Sequence, residues 1–327
     1  MDNETMEKMS CMTLRHLSSK GFIIPTKGIK ELESRITTLQ KIGTTGACIW
    51  GRARIGKTRA ITYVSNSLCR KYNFPVFIWT ITDHPETEKS FYASLLQAMG
   101  ISVEGFNKTA LILKERVLNL LAVQACESPL RKVILFIDEA SKLNEKDFSW
   151  LMDLYNNLSL NDIQLVCFLC GTRELKDLKT DLKIQGKDQI VGRFMVNEIA
   201  YYGLKTKKEL ELCLYSLDKI MMVDESGNMS DQTLLDFYFP YASEKAFFSI
   251  GDEYWDAFNN VKSAHGVKAD DVPMKYLIDS FAIMLDTYGA LSECAVEFPT
   301  IDEITSSIEL SGYGESDDKY EHKKRKK

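Results

Sequence analysis

The chain has 327 residues, 45% hydrophobic and 27% charged, with a net charge of −5. That length and apolar content support one large domain or two modest ones with a full core. The charge excludes a basic nucleic-acid coat and restricts any DNA surface to a local patch. No apolar stretch is long enough to span a bilayer and no signal peptide is legible, so no membrane partner is expected.

Residues 1–21 are polar and Met-rich and read as a flexible N-terminal arm. Phe22 to Thr26 reads as an extended anchor, because Pro25 biases Ile24 away from helix. Ile29, Leu32, Ile36 and Leu39 recur at helical spacing ahead of a short apolar strand, Gly46 to Trp50. A glycine-rich loop follows, then a helix marked by Ile61, Val64 and Leu68. Pro75 to Thr80 is a second strand. Thr87 to Met99 is a helix with Phe91, Leu95 and Ala98 on one face and Gly100 as its stop. Leu111 to Ala125 is a longer helix. Val133 to Ile137, apolar throughout, reads as a central parallel strand ending in Asp138-Glu139.

Asn144 reads as the N-cap of a helix in which Phe148, Leu151, Met152 and Tyr155 follow one face. Ile163 to Cys170 is a fourth strand, running into Gly171-Thr172-Arg173, and Phe194 to Ile199 is a fifth. Alternating strands and helices predict an α/β core, a parallel sheet covered on both faces. From about residue 206 the pattern turns helical, around Leu210, Leu214 and Leu217, Glu253 to Val261, Lys275 to Leu285 and Ile301 to Ile308. Asp224 to Asp231 reads as a polar break. The predicted organisation is a flexible arm (1–21), an α/β core (22–205), an all-helical subdomain (206–310) and a disordered charged tail (311–327) ending in a basic run.

Eight cysteines are scattered along the chain, which suggests a reducing cytosol. Only Cys167 and Cys170 form a C-x-x-C. They lie in an apolar strand with no second ligand pair nearby, and read as small buried hydrophobes rather than a metal or redox site.

The chemistry lies in two motifs. Gly51-Arg52-Ala53-Arg54-Ile55-Gly56-Lys57-Thr58 is a complete phosphate loop between a strand and a helix. Its backbone N–H groups are expected to cradle the phosphates of ATP. Lys57 is expected to reach the β- and γ-phosphates, and the Thr58 hydroxyl to join the shell of Mg²⁺. Asp138, at the carboxyl end of a central strand, is expected to hold Mg²⁺, mostly through water. Glu139 is expected to orient or deprotonate the attacking water.

A phosphate-loop core with a helical appendage resembles the AAA+ ATPases. The resemblance implies a three-layer core, a lid over the nucleotide, and ATP held between subunits of a ring or helical homo-oligomer. It places a polar sensor at Thr172, a trans-acting arginine finger at Arg193, and a lid sensor at Lys275. Lys275 departs from the arginine usual there and lacks its planar fork.

The Ile24-Pro25-Thr26 segment, the Phe91 to Gly100 helix and the runs Leu169 to Thr172 and Gly192 to Phe194 carry a narrower resemblance. It is to the TnsC/TniB regulators of DNA transposition, including those of CRISPR-associated transposons, and it spans roughly residues 22–220. It implies a bacterial cytoplasmic ATPase that oligomerises on double-stranded DNA. Such a protein links a target-selection protein of the TniQ or CRISPR-effector type to transposase subunits. It also assigns DNA-phosphate contacts to Lys89, Asn107, Lys108 and Thr109. The alternative is another AAA+ or signalling P-loop ATPase that acts on proteins without DNA.

Overall fold

A computed structural model describes residues 3–19, 21–103, 109–128, 130–224, 226–242 and 244–316. Asn107, Lys108 and the basic run from His322 lie outside the described residues. Two compact units divide the chain. One comprises Ile29–Ala53 and Lys57–Tyr201. The other takes the described residues up to Gly28, Arg54–Gly56, and those from Tyr202 on.

The first helix, α1 (Asn3–Ser18), belongs to the second unit. The first unit then runs α2 (Lys27–Lys41), β1 (Gly46–Trp50), α3 (Lys57–Tyr72), β2 (Val76–Thr80), α4 (Glu88–Ala98) and α5 (Ala110–Cys126). It continues with β3 (Lys132–Asp138), α6 (Glu145–Ser159), β4 (Gln164–Gly171), α7 (Glu174–Ile184), α8 (Asp188–Phe194) and β5 (Asn197–Ala200). The five strands are parallel in the order β2-β3-β4-β1-β5.

Strand alternation explains why both faces need cover. Val133, Leu135, Ile137, Leu165, Cys167 and Leu169 point to one face and join a core with Phe91, Leu121, Phe148 and Phe194 from the helices. Ile134, Phe136, Val166, Phe168 and Cys170 point the other way and are also buried. On α2 and α3, Ile29, Leu32, Ile36, Ile61, Val64 and Leu68 are buried stripes of the kind that cover such a face. Cys167 and Cys170, three residues apart in β4, project to opposite faces and cannot share a ligand.

Local signals set the helix ends. Asn144 caps α6 by accepting the N–H groups of Lys146 and Asp147, while Asp147 returns a carboxylate to the Asn144 N–H at 2.8 Å. Thr87 caps α4, and Gly100, at φ 82°, follows its end.

At the start of β1, a Cβ on Gly46 would fall 2.8 Å from both the Cys167 carbonyl and Phe194 Cα. Both are backbone atoms, which cannot rotate aside. Gly46→Ala is expected to destabilise the protein by about 1–3 kcal/mol, read as a lowered urea midpoint. A parent-like midpoint would mean that β1 can shift away from these neighbours at little cost.

The second unit adds α9 (Lys207–Leu217), β6 (Met221–Val223), β7 (Met229–Thr233), α10 (Leu234–Tyr238), α11 (Gly251–His265), α12 (Met274–Tyr288) and α13 (Ile301–Leu310). Leu214, Phe258, Leu277, Phe281 and Ile304 are among its buried residues. Here the structure corrects four expectations. Residues 3–18 are a helix rather than a flexible arm. Met9, Thr13 and Leu17 are buried, and Thr13 Oγ1 accepts the Val223 N–H at 2.9 Å. Ser10 and Thr13 fall within the buried stripe and dilute its apolar signal. The anchor residues Phe22 and Ile24 join this unit's core rather than the sheet's.

This unit, expected to be all-helical, also contains strands. The predicted polar break is an antiparallel β6–β7 hairpin, turned by Gly227 at φ 82° and by Asp224, whose Oδ1 accepts the Ser226 and Asn228 N–H groups. Finally, order extends past residue 311. Tyr313 is buried, edge-on to Phe258 and Tyr276.

Candidate nucleotide site

The phosphate loop links β1 to α3, so the positive end of the α3 dipole faces the loop. Gly51 N–H donates to the Gly171 carbonyl at 3.2 Å, tying the loop's start to the end of β4. Gly56 takes φ 98°, in a region open to glycine, and Arg54 takes φ 64°. Lys57 is 7% exposed. Its Nζ donates to the carbonyls of Gly51 at 2.9 Å and Arg52 at 2.7 Å, which places the ammonium inside the curve of the loop. Burial draws the Lys57 ammonium below its ordinary value, while Glu139 and then Asp138 pull it back up.

The strand order brings the second motif alongside. β4 lies between β1 and β3, and in register Trp50 is opposite Gly171 and Ile137 opposite Leu169. The two motifs therefore leave the sheet at the same edge. Thr58 Oγ1 donates to Asp138 Oδ2 at 2.6 Å, and Asp138 Oδ1 accepts the Glu139 N–H at 3.1 Å. Asp138 is buried and Glu139 half-buried. Glu139 is left-handed at φ 56°, a costly conformation for a non-glycine residue, and it turns the chain into a short 3₁₀ segment, Ala140–Lys142.

A hydroxyl and a carboxylate already in contact are hard oxygen donors. They suit Mg²⁺, which takes oxygen ligands and retains several waters. Beside them, burial pushes the Cys170 thiol well above its ordinary value, so it stays protonated and inert.

Thr172 directly follows β4, the strand between the two motif strands, and is half-buried. Its Oγ1 donates to Glu174 Oε2 at 3.2 Å. Arg193 does not sit just before a strand, as the expected strand from Phe194 to Ile199 implied. It occupies the last turn of α8, and β5 begins only at Asn197. Ile190, Val191 and Phe194 form one buried helical face, which the intervening Gly192 masks in the sequence.

Lys275 lies in the first turn of α12 in the second unit, a set that includes Arg54–Gly56. Its backbone N–H donates to the Arg54 carbonyl at 3.2 Å, whereas its ammonium pairs with Asp279 at 2.7 Å. The side chain is thus committed to its own helix. Beside it Tyr276, not anticipated from sequence, accepts a hydrogen bond from Arg54 Nη1 at 3.1 Å. Of the proposed DNA contacts that are described, Lys89 is exposed on α4. Thr109 is the N-cap of α5; its hydroxyl accepts the Ile112 N–H and keeps its proton to donate.

The parallel core, its strand order and the two motifs define the AAA+ P-loop fold. Residues 43–178 match a family model described as an AAA domain. Among solved structures, the ORC2 protein of Aeropyrum pernix in its ADP form has a TM-score of 0.58 at 12% identity. That match covers 91% of this chain and 73% of the other. Drosophila ORC bound to DNA has a TM-score of 0.52 at 13% identity, covering 94% of this chain and 67% of the other. At such identities the likeness is one of fold. No curated protein sequence matches the chain. Among the described residues, no helix is long and apolar enough to cross a membrane.

Proposed function

We propose that this protein hydrolyses ATP and uses the bound nucleotide to control its own assembly on double-stranded DNA. The observation that carries this reading is the meeting of Lys57-Thr58 with Asp138-Glu139 at one edge of the sheet. Lys57 binds the outer phosphates of ATP, and the loop's N–H groups hold the rest. Thr58 and Asp138 hold Mg²⁺, which when bound neutralises phosphate charge. Glu139 takes a proton from the attacking water, and Thr172 contacts the terminal phosphate. Arg193 serves a neighbouring copy's nucleotide, so that hydrolysis depends on assembly.

DNA binding is supported by the fold shared with a DNA-bound ORC and by exposed Lys89. With a net charge of −5, a few contacts per subunit suffice only if an oligomer repeats them along the duplex. The narrower reading, a transposition regulator linking a target-selection complex to a transposase, is supported by the motif resemblance over residues 22–220.

The test is gel filtration and negative-stain imaging with duplex DNA. ATP is expected to give oligomers and ADP to leave monomers, and raising salt should weaken binding steeply. A monomer under both nucleotides sinks the assembly reading. Intact ATPase activity with a flat DNA-binding curve at low salt would instead favour an ATPase acting on protein partners. Failure of a candidate transposase to co-elute with the ATP–DNA assembly would remove the transposition role alone.

A further inference from the structure

Arg193 is held in an unusual setting. Its guanidinium carbon lies 4.4 Å from the centre of the Tyr155 ring, and Nη1 donates to Asn156 Oδ1 at 2.8 Å. Both partners come from α6, one after the other, and both are neutral. Elsewhere in this unit several surface lysines are matched with carboxylates: Lys176 and Lys179 with Glu198, Lys187 with Glu145, Lys114 with Asp153. Among the described residues Arg193 has no such carboxylate, so its orientation is restrained while its charge is left intact.

The frame behind it is rigid. The Arg193 carbonyl accepts the Thr45 hydroxyl at 2.7 Å, and the backbone of α8 presses on Gly46. Phe194 is fully buried and meets Tyr155 edge-on, ring centres 6.2 Å apart, and its ring also lies 6.5 Å from that of Phe148. Tyr155 therefore packs against the core and carries the guanidinium over its ring. A free arginine loses much rotamer freedom when it engages an anion, and a stacked one has lost part of that already. Asn156 occupies one of five guanidinium donors, leaving others for a bidentate acceptor such as a phosphoryl group.

We propose that Tyr155 and Asn156 are positioning residues that present Arg193, preorganised and un-neutralised, to the terminal phosphate of ATP bound by a second copy of this chain. This rests on the assembly reading above. A cation aimed before the phosphate arrives stabilises the charge developing in transfer without reorganising.

The experiment measures ATP affinity and DNA-stimulated kcat for Arg193→Ala, Tyr155→Ala, Tyr155→Phe, Asn156→Ala and Asn156→Asp. Tyr155→Ala is expected to lower kcat about tenfold with ATP affinity within about twofold of the parent, and Tyr155→Phe to restore most of the rate. Asn156→Asp decides most sharply. A carboxylate there would hold the guanidinium as well or better but neutralise it, so kcat should fall at least as far as in Asn156→Ala. Asn156 is exposed, so this arm stands even if Tyr155→Ala fails to fold. Loss of rate in Arg193→Ala but not in the Tyr155 and Asn156 variants overturns the positioning role and leaves the finger intact. Parent-like rate in Arg193→Ala overturns the finger itself, and the positioning role with it.

Discussion

Lys57→Ala is expected to weaken ATP binding by roughly a hundredfold or more while leaving the fold in place. The ammonium is nearly buried, with the loop's own Gly51 and Arg52 carbonyls as hydrogen-bond acceptors. It is therefore already placed where phosphate oxygens must come, and the charge-assisted bonds it makes to them are the strong kind. Two effects on stability oppose each other. Truncation removes two hydrogen bonds, but it also removes a buried cation whose burial is unfavourable enough to lower its proton affinity. Because the two effects oppose each other, the melting temperature should move by only a few degrees. Calorimetric titration with ATP and Mg²⁺ reads the first effect and thermal unfolding the second. Binding at parental strength in a folded Lys57→Ala protein would show that the loop is not the phosphate site.

The core was legible in sequence where one physical signal dominated. β3 and β4 are unbroken apolar runs, and a strand buried on both faces has no other way to be written. The α4 and α6 starts were legible because Thr87 and Asn144 cap their own helices through local hydrogen bonds. Signals failed where burial was achieved by mixed residues. α1 seats Ser10 and Thr13 in its inner stripe, each matched to a distant partner, Tyr238 and the Val223 N–H. No window on the chain contains those partners.

Arg193 shows the same limit at the site. Its neighbourhood could be named, but its place in a helix was hidden by Gly192, and its two holders come from another helix. Tyr155 in particular fits a core position by spacing alone. Only the tertiary structure reveals that the ring also carries a cation. Lys275 was assigned by position in the lid, yet Asp279, one turn on, claims its charge through an ordinary i, i+4 pair.

Glu139→Gln should separate binding from turnover. Hydrolysis is expected to fall by about two to four orders of magnitude, the range over which a positioned general base contributes. ATP affinity is expected to hold, because the contacts that grip phosphate and metal belong to other residues. Gln also keeps the length of the side chain and the backbone N–H that Asp138 Oδ1 accepts. The left-handed turn at Glu139 supports this assignment. A residue other than glycine is held at φ 56° just after a fully buried strand, where glycine would relieve the backbone. Retaining a strained carboxylate beside the Thr58–Asp138 pair is costly for a purely structural turn and reasonable for a base. Because hydrolysis is what releases the assembly in this reading, Glu139→Gln should also trap ATP-bound oligomers on DNA, with lifetimes lengthened in proportion to the lost rate. Steady-state phosphate release and the decay of oligomers after ATP dilution measure the two consequences independently. Turnover at the parental rate would falsify the role of Glu139 as base, whereas slow turnover with unchanged oligomer lifetime would uncouple hydrolysis from disassembly.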